Sequence, residues 1–228
     1  RTTDDSRAIA EQVSDKVRVI EGAWEVQGPR RNTGLAACQS DWILEIDADE
    51  RVTPALATEI RETINRLGPR KDGFVVIPFD NYIGARRVRH GWGGSFGVGA
   101  RRTLFPRGAK EWGHQRVHPS IKIEGEELAR LEHRIDHFVD DSVADMLDRL
   151  NRYTESRAAD MRDRGDRGRL LADVRRLFTR FFKCYVSRSG WREGGWGVLI
   201  ALCAGLFPLL STLKARLEPI VPLDQDTR

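Results

Sequence analysis

Apolar and acidic positions meet abruptly in the first quarter of the chain. Residues 42–46 are apolar except for one glutamate, and a run of this length is typical of a buried strand. The acids that follow are Asp47, Asp49 and Glu50. Ligands bind at the carboxyl ends of strands in open α/β sheets, and carboxylates can hold a hard divalent cation there. The alternative is a solvated loop that caps the next helix, which we expect to begin near Pro54.

Helical and strand patterns alternate through the rest of the first half. Apolar residues recur at helical spacing over 55–67, and the glycine and proline at 68–69 end that helix. Short apolar runs at 17–20 and 74–79 predict strands, the second of them buried. This alternation is the α/β pattern of a nucleotide-binding half. From 81 to 123 the chain is rich in glycine, so we expect loops and short strands that form another side of the site.

The C-terminal third has a different pattern. Residues 140–164 have the composition of a charged helix. Between 170 and 185, apolar residues share one helical face and basic residues line the other, which predicts a basic amphipathic helix. The apolar positions are Leu170, Leu171, Val174, Leu177, Phe178, Phe181, Phe182 and Tyr185.

An uncharged stretch follows at 194–213, with Trp191 and Trp196 near its start. A bilayer span needs about twenty apolar residues, and this stretch is rich in glycine and interrupted by Pro208. A monotopic segment or a re-entrant hairpin on the membrane therefore fits better than a span, because basic residues attract anionic lipid and tryptophans favour the interface. The alternative is a helix packed on the catalytic domain.

A basic, glycine-bearing turn at 28–36 precedes the acidic strand and opens into a short helix. Backbone amides at such a helix start, with Arg30 and Arg31 beside them, suit a diphosphate. The ordered segments at 2–10, 31–36 (RNTGLA) and 41–50 (DWILEIDADE) resemble the family 2 glycosyltransferases with the GT-A fold. The resemblance implies that the first strand, with an aspartate that contacts the nucleotide, lies upstream of Arg1.

Three further segments extend the resemblance along nearly the whole chain. Residues 102–107 (RTLFPR), 112–118 (WGHQRVH) and 135–137 (IDH) resemble the subgroup that adds sugars to the lipopolysaccharide core or to related lipid-linked glycans. Members of that subgroup commonly have a glutamate after the Val-His pair, where this chain has Pro119. A carboxylate often credited as the catalytic base is therefore missing from its expected place.

The resemblance implies a set of site residues. Asp47 and Asp49 would bind the donor diphosphate through Mg²⁺ or Mn²⁺, with Asp49 the more direct ligand. His137 is a candidate metal ligand or base, as is His118. Arg31, Asn32 and Asp47 are candidate contacts to the donor, and candidate catalytic residues are Glu50, His118 and Glu111. Independently of the resemblance, Trp92 and Trp112 are candidates for stacking on a sugar ring, with ordinary packing in the core as the alternative.

Composition supports one α/β domain with an appendage. The chain has 228 residues and a net charge of +4, which comes from arginine-rich helices near the C-terminus, so nucleic acid is not implied. Its three widely separated cysteines favour a reducing compartment over disulfides or structural zinc. We expect a GT-A domain over 1–139, charged and basic helices over 140–190, an apolar membrane-associated segment over 191–217 and a polar tail over 218–228.

The sequence thus predicts an inverting glycosyltransferase that uses a nucleotide-sugar donor and a lipid-linked acceptor. Its expected place is the cytoplasmic face of the bacterial inner membrane. Two alternatives remain at this point. One is a sugar nucleotidyltransferase, which also needs a metal and a nucleotide-binding fold. The other is a membrane-associated relative without catalytic activity, suggested by Pro119.

Overall fold

The computed structural model describes residues 5–93, 97–116 and 119–218. Its helices are α1 (Ser6–Val13), α2 (Gln27–Ala37), α3 (Pro54–Leu67), α4 (Val143–Asp163), α5 (Leu170–Phe182) and α6 (Gly195–Leu217). Its strands are β1 (Trp42–Leu44), β2 (Glu50–Val52), β3 (Phe74–Ile83), β4 (Arg86–Val88), β5 (Ala100–Pro106), β6 (Lys110–Trp112), β7 (Ile121–Ile123), β8 (Glu127–Arg130) and β9 (Ile135–Asp140).

A mixed sheet organises the first 140 residues. Its main order is β1-β5-β3-β9-β2, and β4 and β8 also pair with the long strand β3. Strands β8 and β9 run parallel to β3, whereas β4 and β5 run antiparallel to it. Strands β6 and β7 form a separate antiparallel hairpin. This sheet, flanked by helices, confirms the predicted α/β class.

Local signals in the sequence set the ends of α3. The hydroxyl of Thr53 accepts a hydrogen bond from the backbone amide of Leu56 at 3.2 Å, which caps the helix start, and Pro54 occupies the first turn. Gly68 follows the last turn with a φ of 65°, a conformation that favours glycine. One face of α3 then buries Leu56 and Ile60 against β3 and β5 residues of the core. The helix predicted over 55–67 is confirmed.

Of the two strands predicted at 17–20 and 74–79, the structure has only the second. The strand predicted at 74–79 is confirmed and extends to Ile83. The strand predicted at 17–20 is wrong, because that segment has no regular structure and pairs with none of the described strands. Its apolar side chains Val17, Val19 and Ile20 are exposed. A strand needs a neighbour to satisfy its backbone groups, and apolar composition alone does not supply one.

The C-terminal helices pack on one another and on the end of the sheet. Helix α6 lies against both α4 and α5, and its buried residues join Ile83 and Val88 of the sheet in one apolar cluster. A buried ion pair of 2.7 Å between Asp140 at the end of β9 and Arg149 on α4 links the sheet to these helices. Cys184 and Cys203 are buried in the same cluster as free thiols, as expected.

Helix α6 runs through Pro208 without a break. The re-entrant hairpin suggested by the sequence is therefore wrong for this segment, because its 23 residues form one helix. It is long and apolar enough to cross a membrane, with a mean hydropathy of 2.0, yet one face packs on the protein. The alternative of a helix packed on the protein is thus confirmed for the buried face of α6, and membrane association of its other face stays a prediction.

Only part of the apolar face of α5 is covered by α6. Leu177 and Phe181 are partly buried, whereas Leu171, Phe178 and Phe182 are 87%, 67% and 59% exposed. The exposed side chains continue beyond the helix to Val186. We call the exposed residues Leu171, Val174, Phe178, Phe182 and Val186 the apolar stripe.

Candidate active site

A tight turn carries the acids that follow β1. The amide of Glu50 donates to the carbonyl oxygen of Asp47 at 3.0 Å, and the amide of Asp47 donates to the Glu50 carboxylate at the same distance. The chain then enters β2, which pairs with β9 so that Glu50 lies opposite His137. Residues 87 positions apart thereby meet at one point of the sheet.

Asp49, Glu50 and His137 form a group that could hold a metal ion. One potential ligand atom from each lies within 4.8 Å of the others, and Nε2 of His137 is 3.4 Å from Oδ2 of Asp49. Two carboxylates and an imidazole suit a divalent cation such as Mn²⁺. Asp47 does not belong to this group.

Asn81 determines which nitrogen of His137 faces the acids. Its amide group donates to the carbonyl oxygen of Val98 at 2.8 Å and accepts from the amide of Val98 at 3.3 Å, so the Asn81 amide has a fixed orientation. Its Oδ1 atom lies 2.9 Å from Nδ1 of His137, which must therefore be the donor. In the neutral imidazole, Nε2 then has a lone pair that points toward Asp49. This arrangement fits a metal ligand held by a neighbouring hydrogen bond.

The same geometry sets the charge state of Asp49. In its imidazolium form His137 also has a proton on Nε2, and the hydrogen bond that it then donates holds the pKa of the Asp49 carboxyl below its usual range, although burial acts in the opposite direction. Asp49 is therefore an anion at neutral pH, with about half of its side chain exposed. Glu50 differs, because its carboxylate is fully buried and forms an ion pair with Arg101. Asp49 is thus the accessible carboxylate of the group, and the side chain of His137 is 12% exposed.

A small cavity of about 230 Å³ lies beside this group. Its charged lining residues are Arg31, Glu45, Asp47, Arg101, Arg102 and Lys110. Arg31 pairs with both Glu45 and Asp47, and Arg101 contacts Asp47 at 3.2 Å. Lys110 completes the set with an ion pair to Glu45, and burial lowers its pKa. We call this space the donor cavity. We call the ion pairs around it, together with the pair between Arg101 and Glu50, the charge network.

Two polar atoms at the donor cavity have no partner among the described residues. The hydroxyl of Thr103 and the indole nitrogen of Trp112 are both buried, and both residues line the cavity. A buried polar group without a hydrogen bond costs about 1–3 kcal/mol. A polar ligand in this space would supply the missing bonds.

Comparison with known proteins decides the family. The profile of glycosyl transferase family 2 matches residues 1–118, which is more than half of the chain. The chain belongs to family 2. The mixed α/β sheet, with its acids at the end of β1, accordingly confirms the expected GT-A class.

This family 2 glycosyltransferase is similar to other bacterial glycosyltransferases, two of which are compared with it here. The lipopolysaccharide core biosynthesis glycosyltransferase LpsC of Rhizobium meliloti is 24% identical over 224 residues, which cover 93% of this chain and 78% of LpsC. An uncharacterized glycosyltransferase of Rickettsia felis is 42% identical over 59 residues, 26% of this chain and 20% of that protein. These similarities support a glycosyltransferase over the nucleotidyltransferase and the inactive relative that the sequence left open.

Asn32 of the transferase has a role in packing. Its side chain donates to the carbonyl oxygen of Trp112 and accepts from the amide of Trp112, both at 2.9 Å, and so joins α2 to β6. Gly28 permits this close approach, since a Cβ there would clash with the carbonyl oxygen of Gly113. These bonds hold α2 against β6, and α2 carries Arg31 in the lining of the donor cavity.

The two tryptophans lie in different places. Trp112 lines the donor cavity but is 8% exposed, and Arg31 and Lys110 lie over its ring at 4.7 and 4.5 Å from the centroid. Trp92 lines a separate cavity of about 860 Å³, and its indole nitrogen donates to the carbonyl oxygen of Val88. Asn81 also lines this larger cavity, which therefore adjoins the His137 side of the metal group.

The three catalytic candidates are also separated. Glu50 lies in the metal group. Glu111 is exposed on β6, and because Lys110 and Trp112 on either side line the donor cavity, strand alternation turns Glu111 away from it. His118 lies outside the described residues.

Sequence reasoning missed four residues of the site: Glu45, Asn81, Arg101 and Lys110. Glu45 gave a usable signal, since it is a charged residue within a short apolar strand pattern, whereas Lys110 lies next to Glu111 in a polar segment and gave none. Arg101 and Asn81 gave none, because only the pairing of β3 with β5 and β9 brings them to the acids.

Proposed function

We propose that this glycosyltransferase moves a sugar, with inversion and with a divalent metal, from a nucleotide-sugar donor to a lipid-linked or lipopolysaccharide-core acceptor. The observation that carries the proposal is the Asp49–Glu50–His137 group beside a cavity with three buried or half-buried cations. Such an arrangement suits a diphosphate that bridges a metal and basic side chains.

Arg31 and Arg101 are the residues that would hold the donor diphosphate. Their guanidinium groups line the donor cavity and already bind carboxylate oxygens, whose geometry resembles that of phosphate oxygens. Lys110, which is buried, adds a further positive charge to the lining of the cavity. Thr103 and Trp112 offer an unpaired hydroxyl and an unpaired indole N–H for the polar parts of the nucleotide.

Asp49 and His137 would hold Mg²⁺ or Mn²⁺, with Glu50 beside them. When bound, the cation would neutralise charge on the departing diphosphate. Asn81 keeps Nε2 of His137 directed at Asp49, and the ion pair with Arg101 keeps the Glu50 carboxylate in place. Asp47 joins the acids to the donor side through Arg31 and Arg101.

The base must take a proton from the acceptor hydroxyl during attack on the anomeric carbon. The Glu50 carboxylate is buried and occupied by Arg101 and the amide of Asp47, so it suits a positioning role. Glu111 faces away from the donor cavity. His118 is the remaining candidate of those predicted, and its imidazole is suited to proton transfer near neutral pH.

We further propose that the transferase works on the cytoplasmic face of the inner membrane. The apolar stripe of α5 exposes three large side chains beside Arg175 and Lys183, which suits insertion into an anionic lipid surface. Helix α6 has no charged residue from Gly195 to Leu213, and less than half of its most apolar part is buried inside the protein. The role of LpsC as a lipopolysaccharide core biosynthesis glycosyltransferase is compatible with a lipid-linked acceptor.

The test is donor turnover by the full chain with and without metal. Panels of UDP-sugars and GDP-sugars are incubated with Mn²⁺ or Mg²⁺ and a lipid-linked acceptor extract, and nucleoside diphosphate release is followed. We expect release that depends on both metal and acceptor, and a product whose anomeric configuration, read by NMR, is opposite to that of the donor. Release that persists in EDTA, or a product with retained configuration, would contradict the proposal.

A further inference from the structure

A cavity of about 750 Å³ lies between the C-terminal helices and the segment that connects β6 to β7. The arginines that line it are Arg157 on α4, Arg169 just before α5, and Arg176 and Arg180 on α5. Gln115 and Ser120 line it from the catalytic side. We call this space the arginine cavity. It is distinct from the donor cavity, with which it shares no lining residue.

The two aspartates in the arginine cavity are already engaged. Asp173 is 2% exposed, and its two oxygens accept from Arg176 and from the hydroxyl of Thr212, each at 2.7 Å. This pair of bonds ties α5 to α6 and orients Arg176. Asp166 accepts from the amide of Gly168 at 2.8 Å in the turn before α5. Among the described residues, neither carboxylate forms an ion pair with the other arginines of the cavity.

Arg157, Arg169 and Arg180 have no carboxylate within ion-pair distance in the part of the chain that the structure describes. Burial lowers the pKa of the half-buried Arg180, and the neighbouring Arg176 lowers it further. Positive charges gathered in a partly desolvated space repel one another, and the repulsion is relieved by an anion. The lining therefore favours a negatively charged group.

The arginine cavity lies between the lipid-facing and catalytic sides of the molecule. On α5, Phe178 lies two residues after Arg176, and Phe182 lies two residues after Arg180. Two residues correspond to a rotation of about 200° around a helix, so the rings of the apolar stripe lie on nearly the opposite face from the cavity arginines. On the other side, Ser120 lines the arginine cavity while the next residue, Ile121, lines the donor cavity. A ligand here would lie one hairpin away from the donor.

We propose that the arginine cavity binds a phosphoryl group carried by the acceptor. Guanidinium groups recognise phosphate oxygens by paired hydrogen bonds, and the volume leaves room for a sugar attached to that group. The inference rests on the proposed lipid-linked acceptor, and it adds the chemical group by which the acceptor is recognised. The phosphate comes either from a lipid headgroup or from a soluble phosphate ester.

The test compares two double variants of the full chain that lose the same charge. Arg169→Gln/Arg180→Gln removes two cavity arginines that hold no ion pair with a described carboxylate, so the contacts of Asp173 remain. Arg152→Gln/Arg164→Gln removes two exposed arginines outside the cavity. Flotation is measured with phosphatidylcholine vesicles that contain phosphatidic acid, or phosphatidylserine at equal surface charge. Thermal unfolding is measured with inorganic phosphate.

We expect a preference for phosphatidic acid in the wild type and in the control variant, and at least about tenfold weaker binding to it in Arg169→Gln/Arg180→Gln. If instead only inorganic phosphate distinguishes the variants, by raising the melting temperature of the wild type and the control alone, the soluble ester is the source. Equal behaviour of both variants in all assays overturns the proposal. No donor or metal is present, so such a failure leaves the proposed transferase activity untouched.

Discussion

The Oδ1 atom of Asn81 lies 2.9 Å from Nδ1 of His137 and fixes the nitrogen that faces Asp49. Replacing Asn81 by Ala should lower Mn²⁺ affinity by about 10- to 100-fold, since a ligand histidine loses its orienting partner. Mn²⁺ titration followed by electron paramagnetic resonance measures this. Asn81→Asp keeps an oxygen acceptor and should retain more affinity than the Ala variant.

The control for Asn81 is Thr154→Val on α4. Thr154 is also a buried polar residue, but its hydroxyl donates to the carbonyl of Asn151, far along the chain from the metal group. Thr154→Val should lower the free energy of unfolding without changing the affinity of the protein for Mn²⁺. A similar loss of affinity in both variants would mean that general destabilisation, and not the imidazole orientation, weakens the site.

Asp49 and Asp47 should respond differently to loss of charge. Asp49→Asn should lower Mn²⁺ affinity at least about tenfold and abolish metal-dependent donor turnover, because it removes an accessible anionic ligand. Asp47→Asn should weaken donor binding more than metal binding, because Asp47 contacts Arg31 and Arg101. Calorimetric titration with Mn²⁺ and then with donor compares them. The reverse order of effects would show that the metal binds at Asp47.

Membrane binding should depend on the apolar stripe. Phe178→Ser/Phe182→Ser should weaken binding to anionic vesicles by roughly 100-fold or more, since burying each phenyl group contributes about 1.5–3 kcal/mol. Thermal stability should hardly change, because both rings are exposed. The matched control is Ile9→Ser/Val13→Ser on α1, where two equally exposed apolar residues are removed. Equal loss of flotation in both double variants would exclude the stripe as the contact surface.

Stability at acidic pH should depend on Glu59. Its carboxylate accepts hydrogen bonds from the amides of Glu132 at 2.7 Å and His133 at 2.9 Å, and so joins α3 to the turn before β9. Burial raises the pKa of Glu59, but these bonds outweigh that effect and leave the pKa below the ordinary value of 4.5. The folded state therefore binds this proton less readily than the unfolded state. The resulting stability is present above about pH 4.5 and is lost as the pH falls through the folded pKa.

Melting curves between about pH 6 and pH 3 test this sign. The wild type should be more stable than Glu59→Gln at the upper end, and the difference should shrink toward the lower end. Glu62→Gln, an exposed change on the same helix, should show no such trend. A difference that grows on acidification would contradict the assignment.

The sequence predicted those elements whose signals are local. Thr53, Pro54 and Gly68 mark the ends of α3 in the sequence itself, and the acids after β1 are adjacent in the chain. The failure at 17–20 shows the limit, because a strand depends on a partner that no local pattern reveals. The same limit applies to Asn81, which reaches His137 only through the parallel register of β3 and β9.

The C-terminal pattern was also only partly readable. Helical spacing identified the apolar face of α5, yet it could not indicate that α6 covers Leu177 and Phe181 and leaves Phe178 and Phe182 exposed. Packing between helices divides that face, and the division depends on distant residues such as Gly205, which allows close approach to Leu177. The arginine cavity was unpredictable for the same reason.

The charge network balances three cations against three carboxylates: Arg31, Arg101 and Lys110 against Glu45, Asp47 and Glu50. A diphosphate that entered alone would leave an excess of negative charge, and a divalent cation alone would leave an excess of positive charge. Each ligand therefore lowers the free energy of binding the other, and thermodynamic reciprocity makes the two effects equal. The network thus favours the proposed metal and donor together, so each should raise the affinity of the transferase for the other.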